Sequence, residues 1–249
     1  MILVKSNSQI AEMRKANIIV RDTLDLLREH TKPGVSTLEL NKLAHEYIVS
    51  QHAVPSFLGY SGYPASICVS IDYEVVHGIP SKHKILQEGQ IVSYDVGAIL
   101  NGWNGDAART VAVGIISPEV QRLVDVTEQC FFEGVKCIQP GVTRLGDLGH
   151  TIQQHAESNG YGVVRELVGH GIGRDMHEDP SVPNFGTAGH GMRLSPGMTI
   201  AIEPMITMGT YEVDWMSDGW TVKTKDRKPA SHYENTIAIT DNGVEILSL

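Results

Sequence analysis

Cysteine is scarce in this chain: three residues in 249, at Cys68, Cys130 and Cys137. They give neither a disulfide framework nor a paired Cys-x-x-Cys zinc motif, so a reducing, cytoplasmic setting is expected. No apolar run approaches the ~20 residues of a membrane span. The amino terminus, Met1-Ile2-Leu3-Val4-Lys5-Ser6-Asn7, turns polar too early for a secretory signal. Positive charge is in deficit, with a formal net charge of −9. That balance argues against DNA or RNA binding as the main business. Ser- and Pro-rich linkers are also missing, which favours a single domain over residues 1–249. A hydrophobic share of 41% with 20% charged residues is ordinary for a soluble protein. A chain of this size can bury ~70–75% of its unfolded surface.

What is present is a repeat. Lys32-Pro33-Gly34-Val35-Ser36 returns as Gln139-Pro140-Gly141-Val142-Thr143, and His77-Gly78-Ile79 returns as His170-Gly171-Ile172. Leu86…Gly89…Asp95 returns as Leu194…Gly197…Glu203, with the same step from glycine to carboxylate. Matched blocks in one order predict two related halves, roughly 8–117 and 118–249, facing each other across a crevice. The shared acid would point into that crevice.

Apolar residues at steps of three and four predict a helix over 8–31, ended by Lys32-Pro33-Gly34. Ser36 or Thr37 caps a second helix through about Val49. The second half repeats the order, with a helix over 118–138 and another opened by Thr143 and running to about Ser158. Short β-branched runs follow these helices, at 67–71, 91–96, 110–113, 198–202 and 236–239. The expected class is α+β, with helices on one face of a mainly antiparallel sheet.

Asp95 and Asp106 flank the turn dipeptides Asn101-Gly102 and Asn104-Gly105. A hairpin turning at Asn101-Gly102 brings Asp95 within a bulge of directly opposing Asp106. Two such carboxylates repel by ~4 kcal/mol at 4 Å if the effective dielectric is about 20. Taken alone, they could be solvated turn acids. Glu203 and Glu234, however, adjoin apolar strands where water is scarce, and buried acids are rare unless paired or bound to metal. Four carboxylates call for two dications rather than one. Oxygen-rich donors with a single histidine suit manganese or iron, with cobalt or zinc as further candidates. A lone histidine is usually structural, but His77 and His170 each sit in a matched block.

The Asp95/Asp106 pair, Gly169-His170-Gly171-Ile172-Gly173, Ile202-Glu203-Pro204-Met205 and Tyr233-Glu234-Asn235-Thr236 together resemble the type I methionine aminopeptidases. The resemblance covers essentially the whole chain. It implies the pita-bread fold, with two pseudo-twofold halves, a curved sheet and helices on its outer face. It also implies two divalent metal ions held by Asp95, Asp106, His170, Glu203 and Glu234. Asp106 and Glu234 would bridge them, with Asp95 completing one site and His170 and Glu203 the other. Glu203 would shuttle the proton, His177 would face the scissile carbonyl, and His77 would lie near the scissile amide nitrogen.

By the same resemblance the methionine pocket comprises Phe57, Tyr60, Tyr63, Cys68, Met176 and Trp220. Phe57, Ser61 and Met176 depart from residues common in the family, which bears on pocket shape and on the second substrate residue. The implied substrate is the N-terminal methionine of nascent chains whose second residue is small. A stiff, β-branched Ile2 should therefore protect the chain's own Met1. The implied protein is a cytoplasmic monomer without the extra N-terminal domain of prolidases. Lys223, Lys225, Arg227 and Lys228 are candidates for a weak ribosome contact, with a plain solvated charge run as the alternative. The competing readings are a pita-bread peptidase preferring proline-containing peptides and a metal-free binding module.

Overall fold

A computed structural model describes residues 2–249; Met1 lies outside the described residues. Four long helices are each fixed at the start by local chemistry. Ser6 and Ser36 cap α1 (Asn7–His30) and α2 (Thr37–Ser50), each closing a capping box with Gln9 or Glu39. Ser117 caps α3 (Pro118–Lys136), whose first residue is a proline preorganised for that position. α4 (Leu145–Ser158) departs from expectation. Thr143 does not cap it. Its hydroxyl instead accepts from the Gln139 amide and donates to the Cys137 carbonyl, tying off the preceding turn.

The main sheet has nine strands: β1 (Val54–Pro55), β2 (Ile67–Ile71), β3 (Ile91–Leu100), β4 (Trp103–Ala112), β5 (Gly169–Gly171), β6 (Glu178–Val182), β7 (Thr199–Ile202), β8 (Glu234–Thr240) and β9 (Gly243–Ile246). They run in the order β1-β3-β4-β8-β7-β5-β6, with β2 added on β3 and β9 on β8. Every pairing among the described residues is antiparallel. The helices pack on one side in two matching clusters. Leu24, Leu27, Leu40 and Ile48 meet Ile67, Val69 and Val96, while Leu123, Phe131, Leu148 and Ile152 meet Ile200, Ile202 and Ile237. This is the pita-bread architecture, a curved antiparallel sheet with four helices on its outer face. No helix among the described residues is long and apolar enough to cross a membrane.

The sequence repeat reappears as repeated contacts. Gly34 N–H donates to Leu86 O at 2.8 Å, and Gly141 N–H to Leu194 O at 2.7 Å. Ser36 bridges Ile85 as Arg144 bridges Arg193. In each half, a Pro-Gly turn is pinned to the segment that leads into an acid-bearing strand.

Candidate functional site

Register decides where the acids go. The β3–β4 hairpin turns on two residues, Asn101 and Gly102, both at positive φ (54° and 75°), with Leu100 opposite Trp103. Counting back, Asp95 faces Ala108 and Asp106 faces Gly97. The two acids are diagonal neighbours on one face rather than directly opposed, and the hairpin needs no bulge. A two-residue turn fixes this offset, and alternation keeps both carboxylates on the same side. β8 lies beside β4 with Glu234 opposite Ala108, and β7 beside β8 delivers Glu203 at its end.

The resulting cluster is close and mostly dry. Asp106 and Glu234 are 3% and 2% exposed, and the Glu203 side chain 14%. His170 Nε2 stands 3.6 Å from Asp106 Oδ2 and 3.7 Å from Glu203 Oε1. Its Nδ1 donates to the Gly171 carbonyl at 2.9 Å, so Nε2 carries the free lone pair. Backbone contacts hold the acids in place. The Asp106 amide is shared by Asn17 and Thr236, Asn184 Nδ2 holds the Glu203 carbonyl at 2.9 Å, and Arg109 holds the Glu234 carbonyl at 2.6 Å.

Burial pushes the carboxyls of Asp95, Asp106, Glu203 and Glu234 upward, and repulsion from neighbouring acids adds to it at Asp95, Glu203 and Glu234. Asp106 is pushed up to about 8, chiefly by burial. Such a cluster is stable ionised only if positive charge enters it. Buried oxygens without partners make the same point: Asp95 Oδ1, Asp106 Oδ1 and Glu234 Oε1 reach no donor. Two overlapping donor sets, Asp106–His170–Glu234 and Asp95–His232–Glu234, each bring one atom per residue within 4.8 Å of the others. Hard oxygen donors with imidazole fit divalent first-row cations.

His77 and His177 reach the same cavity, a cleft of about 200 Å³. His77 has φ 59°, a strained conformation for a non-glycine residue. It is followed by Gly78, where a Cβ would lie 2.1 Å from Val69 O. The His-Gly pair thus lets the chain pass under β2 while turning the imidazole inward. Burial pushes His77 down to about 4. His177 keeps an exposed edge but, through partial burial and the His170 ring at 4.2 Å, is also pushed down to about 4. Both are neutral at pH 7.

Phe57, Tyr60, Tyr63, Cys68 and Trp220 line the cavity as expected. Tyr63 and Trp220 meet edge to face at 5.1 Å, and the Tyr63 hydroxyl donates to Gly78 O. Met176 does not line it. It packs with Ile10, Met13, Trp103 and Ile172, with Phe57 against that cluster. Val76, Leu167, Val168 and Met205 complete the walls, unforeseen because short apolar runs do not reveal which side faces a cavity. His232 was missed too. Its Nε2 lies 3.7 Å from Glu203 and 3.8 Å from Glu234, and it sat in no repeated block. In the basic segment Lys225 pairs with Glu212 at 3.5 Å, and Arg227 covers the Tyr73 ring.

Comparison with known proteins agrees with this geometry. Residues 11–241 match the description "Metallopeptidase family M24". The methionine aminopeptidase of Clostridium acetobutylicum is 56% identical over 249 residues, covering 100% of this chain and 99% of that one. The crystal structure of methionine aminopeptidase from Rickettsia prowazekii superposes with a TM-score of 0.98 at 43% identity, covering 100% of both chains. That from Thermotoga maritima gives 0.98 at 46% identity, over 100% and 99%. A full-length match to family, relatives and fold leaves one assignment: the chain belongs to metallopeptidase family M24, in its type I methionine aminopeptidase branch.

Proposed function

We propose that this chain removes the N-terminal methionine from new polypeptides whose second residue is small, using a pair of divalent cations. The observation that carries this is the buried four-carboxylate cluster with partnerless oxygens, opening onto an apolar cleft sized for one side chain. Asp106 and Glu234 would be shared by both ions, Asp95 would serve one, and His170 and Glu203 the other. Manganese or iron suits this set best, with cobalt or zinc also able to bind. Held there, the ions supply Lewis acidity that acidifies a water and polarises the scissile carbonyl.

The chain's own residues do the rest. Phe57, Tyr63, Cys68 and Trp220 take the methionine side chain and exclude water from it. Glu203 accepts the proton of the attacking water and passes it to the departing amine, a task that needs a carboxylate beside the nucleophile. A neutral His177 donates to the carbonyl oxygen as negative charge develops on it. His77 holds the scissile amide. We read the chain as a single catalytic domain of two related halves, working as a cytoplasmic monomer. The exposed Lys225, Arg227 and Lys228, with half-buried Lys223, offer a weak contact to ribosomal phosphates, which neutralising all four should abolish.

Chelator-treated protein should cleave neither Met-Ala-Ser nor an Xaa-Pro peptide. Restoring divalent cations should return cleavage of Met-Ala-Ser alone. Preferential cleavage of the Xaa-Pro peptide would overturn the substrate assignment, and full activity in chelator would overturn the metal assignment.

A further inference from the structure

His232 is 1% exposed, and neither ring nitrogen has a hydrogen-bond partner. A buried imidazole left this way loses the hydration of both nitrogens without replacement, a cost of about 1–3 kcal/mol per unsatisfied group. A buried imidazole avoids it by bonding a ring nitrogen to backbone, as His170 Nδ1 does to the Gly171 carbonyl. His232 instead aims Nε2 at two carboxylates, 3.7 Å from Glu203 Oε2 and 3.8 Å from Glu234 Oε2. Those distances are too long for hydrogen bonds. They fit donors around a common ion, since atoms each about 2.1 Å from one cation lie roughly 3.0–4.2 Å apart.

The same relation holds for His170, at 3.6 Å from Asp106 and 3.7 Å from Glu203. The two histidines therefore flank the acids from opposite ends. His170 closes one three-residue donor set with Asp106 and Glu234, and His232 closes the other with Asp95 and Glu234. Glu234 belongs to both sets.

We propose that His232 is a second nitrogen ligand of the metal centre, completing the Asp95 half as His170 completes the other. This rests on reading the acid cluster as a dinuclear centre and goes beyond it, because it gives each ion an imidazole. Its consequence is metal choice. A second imidazole moves the centre away from a mainly oxygen set and towards cations that favour nitrogen, iron, cobalt or zinc over manganese. His170 is anchored through Nδ1, whereas packing alone holds the His232 ring. Losing His232 should weaken one of the two ions by about 10–100-fold, the range for groups that fix a metal ligand set.

The test loads the full-length protein with two equivalents of cobalt(II) and counts the solvent-exchangeable, hyperfine-shifted imidazole N–H signals in the proton NMR spectrum. Two are expected. His232→Gln keeps a polar side chain of similar reach, so it should retain two cobalt sites, one weakened, and lose one signal while the His170 signal stays. Two bound ions with a single signal in the unaltered protein would overturn the inference while leaving the dinuclear centre standing. So would two signals that both survive in His232→Gln, which would assign the second to another histidine. Failure of the unaltered protein to bind cobalt at all would bring down the centre itself. The count in the unaltered protein needs no variant, so a misfolded substitution does not remove the test.

Discussion

The Tyr60 hydroxyl lies 2.7 Å from Nδ1 of His177, joining two residues 117 positions apart across the mouth of the cleft. A phenol donating to Nδ1 places the imidazole proton on Nε2. That is the tautomer His177 needs in order to donate to a substrate carbonyl. The rings also lean together, with centroids 5.2 Å apart.

Replacing His177 with alanine should lower kcat by roughly 10²–10³-fold, the usual loss for one transition-state donor. Metal content should hardly change. Metal loss in proportion to activity, read by elemental analysis, would make His177 a ligand instead.

Tyr60→Phe keeps the aromatic wall but removes the bond that sets the tautomer. At about 1 kcal/mol for such a bond, kcat should fall roughly fivefold with KM little altered. In the His177→Ala background the same change should have almost no effect on kcat. Full additivity of the two losses would show that Tyr60 acts independently of His177.

Above the range in which its buried histidines matter, the metal-free protein should lose stability as pH rises. The buried carboxyls have raised folded-state pKa values, so the folded chain holds more protons than the unfolded chain between the ordinary carboxylate range and the raised values. Their contribution is present below about pH 4 and is lost as pH rises toward about 8, the value for Asp106. Divalent cations should flatten this dependence by stabilising the ionised cluster. Thermal melts at pH 7 and 8, with and without metal, read it directly, because the unfolded-state histidines are already largely neutral there. A metal-free melting temperature rising from pH 7 to 8 would contradict the account.

A Cβ at Gly97 would come within 2.7 Å of the Met176 methyl and 2.9 Å of both the Phe57 ring and the Ser56 Cβ. Met176 and Phe57 have movable ends while the Ser56 Cβ is tied to its backbone, so Gly97→Ala should fold with some loss of stability. Phe57 should be pushed toward the cleft and KM for methionyl peptides should rise several-fold, with both ions retained. An unchanged KM would show that this wall does not shape the pocket.

Met-Ile peptides should be cleaved far more slowly than Met-Ala peptides, because a branched second residue cannot turn away from a crowded rim. Ser61, next in sequence to the cavity-lining Tyr60, is exposed with φ 48°. Comparable kcat/KM for the two peptides would show that the rim is open.

Asp95 and Glu203 stood out through a block repeated in each half, whereas Asp106 and Glu234 were reached through a turn signal, an apolar strand and the family resemblance. The offset of the two hairpin acids was less legible. Whether Asp95 and Asp106 oppose each other or sit diagonally depends on a two-residue turn, and a one-residue difference changes the answer. Helix starts at Ser6, Ser36 and Ser117 follow local capping chemistry. Thr143 has the same residue type as a cap, but the turn just before it took its hydroxyl. Met176 illustrates depth, which sequence encodes poorly. It is apolar and near the cleft, yet one layer back. Tyr60 to His177 and His232 to Glu203 are long-range meetings that only the folded chain displays.

The most direct test of the central claim is metal stoichiometry and Met-Ala-Ser cleavage measured on the same preparations of unaltered protein and Asp106→Asn. If Asp106 serves both ions as proposed, the variant should lose metal from both sites and cleavage with it, while the unaltered chain should bind two ions and turn over. An Asp106→Asn protein that kept two ions and normal turnover would contradict the dinuclear assignment.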